Sequence, residues 1–370
     1  MGQDRAERRI DGDRAGPGGD VEVDSDGGRP RAAGRATVYD VAALAGVSIK
    51  TVSRVANGES QVSPSTRRKV QDAMEHLSYV RNPAARALAS GSGPTIGVVI
   101  DSIADHFFSS LVLTVEERAI ATGVAVSIGS TGRSPERERA QIERLVQQNV
   151  SGLIIASSAG DHSYVEQVAA GVPVVLIDRG WELPGYDTVR VQDHEAARAA
   201  TAHLVEHGHR RIAFLGESIE VETVAARRSG YRQALQDNGI RFDTGWVNER
   251  CPDVGAADVE VRRMLAGRRP PTAIFASSPR AAMGAVSALH ALGRTDVALV
   301  SFGDFELAGS LVPAVTVVDH SPHELGEAAM STLFARMADR ARPAVDLALP
   351  LKMIARGSGE LTPRDVLPGH

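Results

Sequence analysis

Residues 47–57 read VSIKTVSRVAN, and their polar side chains are suited to touching another polymer. With helical spacing, Val52 and Val55 point one way and leave Ile49, Lys50, Ser53 and Arg54 outward. An outward guanidinium such as that of Arg54 can donate two parallel hydrogen bonds to the O6/N7 edge of a guanine. The Lys50 ammonium can reach a guanine or a phosphate, and Ile49 can sense only shape or a thymine methyl.

Neighbouring residues supply the elements that would hold this face. Thr37-Val38-Tyr39-Asp40 has the spacing of a helix N-terminus, with Thr37 as cap. VAALAGV follows, with Val41, Leu44 and Ala45 expected on one buried face and a break at Gly46. Ser48 can cap the second helix. Two short helices joined by a small-residue turn match the helix-turn-helix pattern, whose second helix enters the major groove. Ser63-Pro64 predicts the start of a third helix, with Val70, Met74 and Leu77 as its buried stripe. Asn82-Pro83 then opens AARALAS, one or two further helical turns.

The stretches TVYDVAALAGVSIKTVSRVANG, VSPSTRRKV and NPAARALAS, in this order and spacing, resemble the lactose/galactose repressor (LacI–GalR) family of bacterial transcription regulators. The resemblance runs from Thr37 to about Pro363. It implies that Ile49, Lys50 and Arg54 read bases, while Tyr39, Ser48, Thr51, Ser53, Asn57 and Arg86 contact phosphates. It also implies that 82–90 is a hinge helix that orders when two copies pair in the minor groove. Ala84, Ala85 and Ala87 would let those copies approach, and Leu88 would be the apolar wedge that opens the central base step.

Charge distribution agrees with one nucleic-acid-facing end. Residues 37–93 carry seven Lys/Arg against four Asp/Glu, whereas 94–370 carry 27 against 34, so net positive charge is confined to residues 37–93. Residues 1–36 mix Arg, Asp and Gly without apolar periodicity, are expected to be disordered, and receive no function. No apolar run of membrane-spanning length occurs, and the charged N-terminus does not read as a secretion signal, so a cytoplasmic location with no membrane partner is expected. A single cysteine, Cys251, excludes an internal disulfide and a cysteine-based metal site.

From Thr95 the pattern alternates between short β-rich runs and amphipathic helices. Strands are expected at 96–100, 124–128, 153–156, 174–177, 212–215, 273–276 and 297–301. Helices are expected at 108–121, 137–148, 164–170, 194–207, 224–238, 256–266, 280–292 and 322–339. Such alternation predicts parallel sheets covered on both faces. The expected fold class is α/β: a small all-α helix-turn-helix headpiece followed by a two-lobed, doubly wound effector domain. The resemblance implies the periplasmic-binding-protein type, with the chain crossing between lobes near Asp193, Asp319 and Leu347. The expected divisions are a tail at 1–36, a headpiece at 37–81 and a hinge with linker at 82–93. Lobe 1 takes 94–193 with 319–346, lobe 2 takes 194–318 with 347–363, and 364–370 form a second tail.

Open α/β sheets bind ligands beyond the carboxyl ends of their strands, which predicts a site in the cleft between the lobes. The resemblance carries effector-binding roles to Phe107 and Phe108 in IDSIADHFF, to Asp178 and Arg179 in VVLIDRG, to Asp193 in VQDH and to Arg227 in ARRSGY. Ser278 in FASSPRAAMG and Asp304 in VSFGDF complete the candidate set. Two motifs depart from the family pattern. Ser278 and Pro279 stand where Asn and Asp are usual, and Gly303 stands where Asp is usual. Sugar hydroxyls need such acceptors, so an effector other than a simple neutral sugar, or a lost affinity, is expected. Arg179, Arg227, His106 and Arg280 suggest an anion.

Enzyme chemistry finds no motif: G-x-G-x-x-G after a strand, the phosphate loop G-x-x-x-x-G-K-S/T and G-x-S-x-G are all missing from the sequence. His203, His207 and His209 read as structural. No metal and no cofactor are expected. The sequence therefore predicts a non-enzymatic regulator, read as a repressor. It would grip a near-palindromic operator as a homodimer, with a tetramer as the other assembly, under control of a small-molecule effector. The alternative is a solute-binding receptor without a DNA role.

Overall fold

A computed structural model describes residues 38–56, 62–77, 95–157, 163–179 and 185–363. The chain forms two compact units, 1–82 and 83–370. The expectations for Thr37, Asn57, Arg86, Leu88, the hinge at 82–93 and both tails lie outside the described residues, as do those for the Tyr39 and Ser53 side chains.

The first unit holds α1 (Val38–Ala45), α2 (Ile49–Ala56) and α3 (Pro64–His76). Gly46 ends α1 with φ +62. This conformation lets the Val47 amide reach the Ala42 carbonyl at 3.1 Å and the Gly46 amide reach Ala43 at 3.3 Å. That pairing satisfies two helix-end carbonyls and turns the chain sharply. Ser63 caps α3 by accepting from the Thr66 amide, with Pro64 in the first turn. The core joins Val41, Ala42, Val52, Val55, Val70 and Ala73, with Met74 and Leu77 at its edge. Leu44, expected inside, is 51% exposed. Val41 and Ala42 take the inward positions on α1.

The second unit contains two six-stranded sheets. Strands β1 (Thr95–Ile100), β2 (Ala125–Ser130), β3 (Gly152–Ile155), β4 (Val174–Ile177) and β5 (Asp187–Val191) belong to the first sheet. The second holds β6 (Ile212–Leu215), β7 (Val247–Asn248), β8 (Ala273–Ala276), β9 (Ala298–Phe302) and β10 (Thr316–Asp319). Near the C-terminus, β11 (Asp346–Leu349) joins the first sheet beside β5, and β12 (Lys352–Ile354) joins the second, antiparallel to β10. The orders are β11-β5-β4-β3-β1-β2 and β12-β10-β9-β8-β6-β7. Each order reverses direction between its first strand and the next two, which opens a crevice at the carboxyl ends of β1 and β3, and of β6 and β8.

Helices α4 (His106–Ala121), α5 (Pro135–Gln147) and α6 (Tyr164–Val168) follow strands of the first sheet. Helices α7 (Asp193–Glu206), α8 (Glu222–Asp237), α9 (Val254–Leu265) and α10 (Pro279–Ala291) serve the second. Period-2 alternation puts Ile96, Val98 and Ile100 on one face of β1, against Phe108, Leu111 and Val115 of α4. Val99 points the other way, towards Ile142 and Leu145 of α5. Helix α11 (Pro322–Ala338) returns to the first sheet and buries Leu325, Ala329, Met330 and Leu333 there.

The chain thus changes lobe after β5, after β10 and between β11 and β12. Residues 347–349 were expected in lobe 2 but pair with β5 in the first sheet, so the last crossing falls at Pro350-Leu351. Pro350 lacks the amide that would extend the ladder. Strands β5, β7, β10, β11 and β12 were not anticipated. β5 reads DTVRV and β7 has two residues, so neither shows an apolar run. Among the described residues, no helix is long and apolar enough to cross a membrane.

Candidate nucleic-acid interface and effector cleft

On α2, Val52 and Val55 are buried against the other two helices. Ile49 is left 43% exposed, Lys50 is exposed and Arg54 is half-buried. The Thr51 amide donates to Ser48 Oγ at 3.2 Å, and the two hydroxyl oxygens lie 2.9 Å apart. Ser48 therefore caps α2, and its hydroxyl and that of Thr51 already engage each other.

In the second unit, the carboxyl ends of the strands bring charged groups from both lobes together. Asp101 follows β1, Arg133 follows β2 and Asp105 caps α4, all in lobe 1; Glu217 follows β6 and Arg280 opens α10, both in lobe 2. They form an alternating chain. Arg133 Nε donates to Asp101 at 2.8 Å, and its Nη1 lies 2.7 Å from Glu217. Arg280 Nη2 lies 2.6 Å from Asp105, and its Nη1 lies 3.6 Å from the other Glu217 oxygen. Burial pushes the carboxyls of Asp105 and Glu217 above their usual range, with Arg133 opposing the rise at Glu217.

Arg227 lies deeper. Its Nε donates to Asp193 Oδ1 at 2.6 Å, its Nη1 donates to the Ser277 carbonyl at 2.8 Å, and the guanidinium sits 3.8 Å from the Phe302 ring centroid. Burial pushes the Asp193 carboxyl up to about 6 although Arg227 pulls it down, and Asp193 Oδ2 has no hydrogen-bond partner among the described residues. Arg179 Nε stands 3.4 Å from Asp178.

His320 completes the wall, stacked on Phe107 at 4.4 Å and 14°. Burial, helped by Arg227, pushes its imidazole down to about 3, so the ring is neutral, and its Nδ1 has no hydrogen-bond partner among the described residues. Gly303 has φ +86, and a Cβ there would fall 2.6 Å from His320 Cε1 and 2.9 Å from Pro279 Cγ. The two departures at 279 and 303 are therefore coupled: ring and proline fill the space of a side chain at 303.

Phe107, Phe108, Asp178, Arg179, Arg227 and Ser278 share one cavity of about 50 Å³ with Asp101, Asp105, Arg133, Glu217 and His320. Asp193 sits behind it through Arg227. Asp304 is apart. It lines an adjoining hollow of about 190 Å³ with His106 and Asp319, where Arg356 Nη1 donates to it at 2.9 Å. Sequence reasoning also gave no role to Asp101, Asp105, Arg133, Glu217 or His320. Asp101 and Glu217 follow switch-point strands, so the strand-end rule could have found them; Arg133 stands in a loop whose course nothing local predicts. An anion preference finds little support, because Arg179, Arg227 and Arg280 each face a carboxylate.

The histidines serve the fold. His203 Nε2 lies 2.6 Å from Glu360, and buried His209 bridges Thr272 and the Leu361 carbonyl. No group of His, Cys, Asp or Glu arranged to hold a metal ion occurs among the described residues.

Comparison with known proteins matches both units. Residues 37–82 match the family described as bacterial regulatory proteins, lacI family. Residues 93–348 match the periplasmic binding proteins and sugar binding domain of LacI family. The chain belongs to the LacI family. It is 36% identical to the transcriptional regulator GalS of Salmonella typhimurium, over 76% of this chain and 84% of the relative. Identity to GalR of Escherichia coli is 33%, with the same coverages. A crystal structure of a Lac repressor dimer bound to operator and the anti-inducer ONPF superposes with TM-score 0.80 at 29% identity, covering 88% of this chain and 99% of that one. A complex of the regulator CelR with cellobiose gives 0.65 at 30% identity, covering 88% and 100%. This LacI-family chain is thus a DNA-binding transcriptional regulator, and its relatives are regulators rather than enzymes.

Proposed function

We propose that the chain is a cytoplasmic repressor that grips a near-palindromic operator as a two-fold dimer and adjusts that grip through a small ligand between its lobes. The observation that carries this reading is the outward face of α2, where Ile49, Lys50 and Arg54 stand away from a core formed by Val52 and Val55. Those three residues read bases. Tyr39, Ser48, Thr51, Ser53, Asn57 and Arg86 hold phosphates, and Leu88 wedges the central step. Two-fold pairing follows from operator symmetry and from the dimeric Lac repressor it resembles. Leu113 and Ile120, two turns apart on α4, are 55% and 69% exposed and suit cover by a partner.

The ligand contacts proposed for the cleft are Phe107, Phe108, Asp178, Arg179, Arg227 and Ser278, with Asp193 orienting Arg227. Asp304 is assigned to fixing Arg356. A ligand shifts the DNA-binding equilibrium only by its differential affinity for the two states. A mobility-shift assay against genomic fragments tests the reading: the expected result is a few fragments retained at a salt concentration that strips the rest. Uniform retention of all fragments, or of none, contradicts it.

A further inference from the structure

We propose that the ligand of this cleft carries a protonated amino group, which docks where guanidinium groups now bridge carboxylates of the two lobes. The inference rests on reading the cleft as the regulatory ligand site. Each cation of the ion chain lies between acids of opposite lobes: Arg133 between Asp101 and Glu217, Arg280 between Glu217 and Asp105. Closure is thus achieved by positive groups held between facing acids. A ligand that draws the lobes together here must repeat that arrangement.

Charge balance separates the ligand classes. The chain has three carboxylates to two guanidiniums, while the deeper pairs Asp193–Arg227 and Asp178–Arg179 are one to one. A bare anion would add to this surplus. When the lobes part, Arg133 keeps Asp101 and Arg280 keeps Glu217, each within its own lobe. Asp105 retains the Phe107 amide at 2.9 Å but loses the Arg280 guanidinium that pairs with it. A neutral polyol returns hydrogen bonds to Asp105 and no charge, whereas an ammonium returns both.

A second observation points the same way. His320 is 8% exposed, lines the cavity, and has an Nδ1 without a hydrogen-bond partner among the described residues. As a neutral ring in the Nε2–H tautomer, it accepts a hydrogen bond there. Amino sugars and amino acids both supply this chemistry.

The test uses the full chain in calorimetry and thermal-shift measurements with two matched pairs, galactosamine against galactose and L-alanine against L-lactate. The amine of one pair should bind about tenfold tighter than its counterpart, and the responding pair identifies the source. Asp105→Asn keeps a helix-capping oxygen but not the charge, so it should remove most of that preference. Equal or tighter binding of the amine-free member in both pairs, binding of neither amine, or an unchanged preference in Asp105→Asn overturns the proposal. Those outcomes would remove the amine and leave the regulatory reading standing, since operator binding is read separately by mobility shift.

Discussion

Arg133 of the first lobe places Nη1 2.7 Å from Glu217 of the second, and Glu217 is the centre of an ion chain that crosses between lobes twice. Its carboxylate is nearly buried, whereas the Arg133 side chain is 28% exposed, so the pair lies between surface and interior regimes. Glu217→Gln should therefore weaken lobe closure by about 1–2 kcal/mol. Small-angle scattering of the unliganded protein should show a larger radius of gyration for the variant. Superimposable profiles would assign closure to other contacts.

Arg227 offers a second test, because it neutralises a carboxylate that is 3% exposed. Arg227→Met leaves Asp193 buried without a counter-charge and should cost about 3–5 kcal/mol in urea denaturation. Adding Asp193→Leu should recover much of that loss. A double variant no more stable than the single one would show that the pair is not the source.

The neutral imidazole of His320 predicts a pH dependence. In the unfolded chain the group titrates near its ordinary value of 6.5, and in the folded chain at about 3. Between these values the unfolded state binds more protons, so the stability His320 contributes is fully present above 6.5 and is lost as pH falls. Asp193, raised to about 6, acts oppositely, contributing below its ordinary 3.8 and losing that contribution as pH rises towards 6. Comparing wild type with His320→Gln isolates the imidazole. The variant should gain on wild type by about 1 kcal/mol per unit as pH falls from 6.5 to 5. Parallel stability curves would contradict a neutral buried ring.

Gly230 brings α7 and α8 into backbone contact: a Cβ there would lie 2.1 Å from the His194 carbonyl oxygen and 2.9 Å from the Arg198 nitrogen. Neither atom can yield as a flexible side chain does. Gly230→Ala should force the helices apart and lower stability by about 1–3 kcal/mol, read as a lower melting temperature. An unchanged melting temperature would mean that the helices slide freely.

Local chemistry makes much of this fold legible in the sequence. Helix α2 was readable because Val52 and Val55 share a face, and the β1, β3 and β4 strands because buried parallel strands are continuous apolar runs. β5 was not, since its buried Asp187 takes its stability from Arg336, 149 residues away. Leu44 misled because Ala42, two residues earlier, is also apolar, and helical spacing within so short an element does not say which of the two faces the neighbouring helices.

Within the cleft, motif matching reached Arg227, Asp178 and Arg179, whose neighbours are distinctive. It passed over Asp101 and Asp105, although both lie in the IDSIADHFF stretch, because an acid on a loop acquires its role from a partner far along the chain: Arg133 for Asp101, and Arg280 of the other lobe for Asp105. Arg133 and His320 are visible only once β2 and β10 are placed. Pro279 and Gly303 were seen as departures, but their coupling through the His320 ring is a property of packing that spacing does not encode.

The central claim is that α2 reads DNA in a symmetric pair of chains. Sequencing genomic DNA captured by the full-length protein and by Arg54→Ala tests it most directly. Wild type should enrich one near-palindromic motif, and the variant should still bind but relax its preference at one position in each half-site, losing about 1–3 kcal/mol of discrimination there. Capture without an enriched motif, an asymmetric motif, or an Arg54→Ala motif identical to wild type would contradict the account.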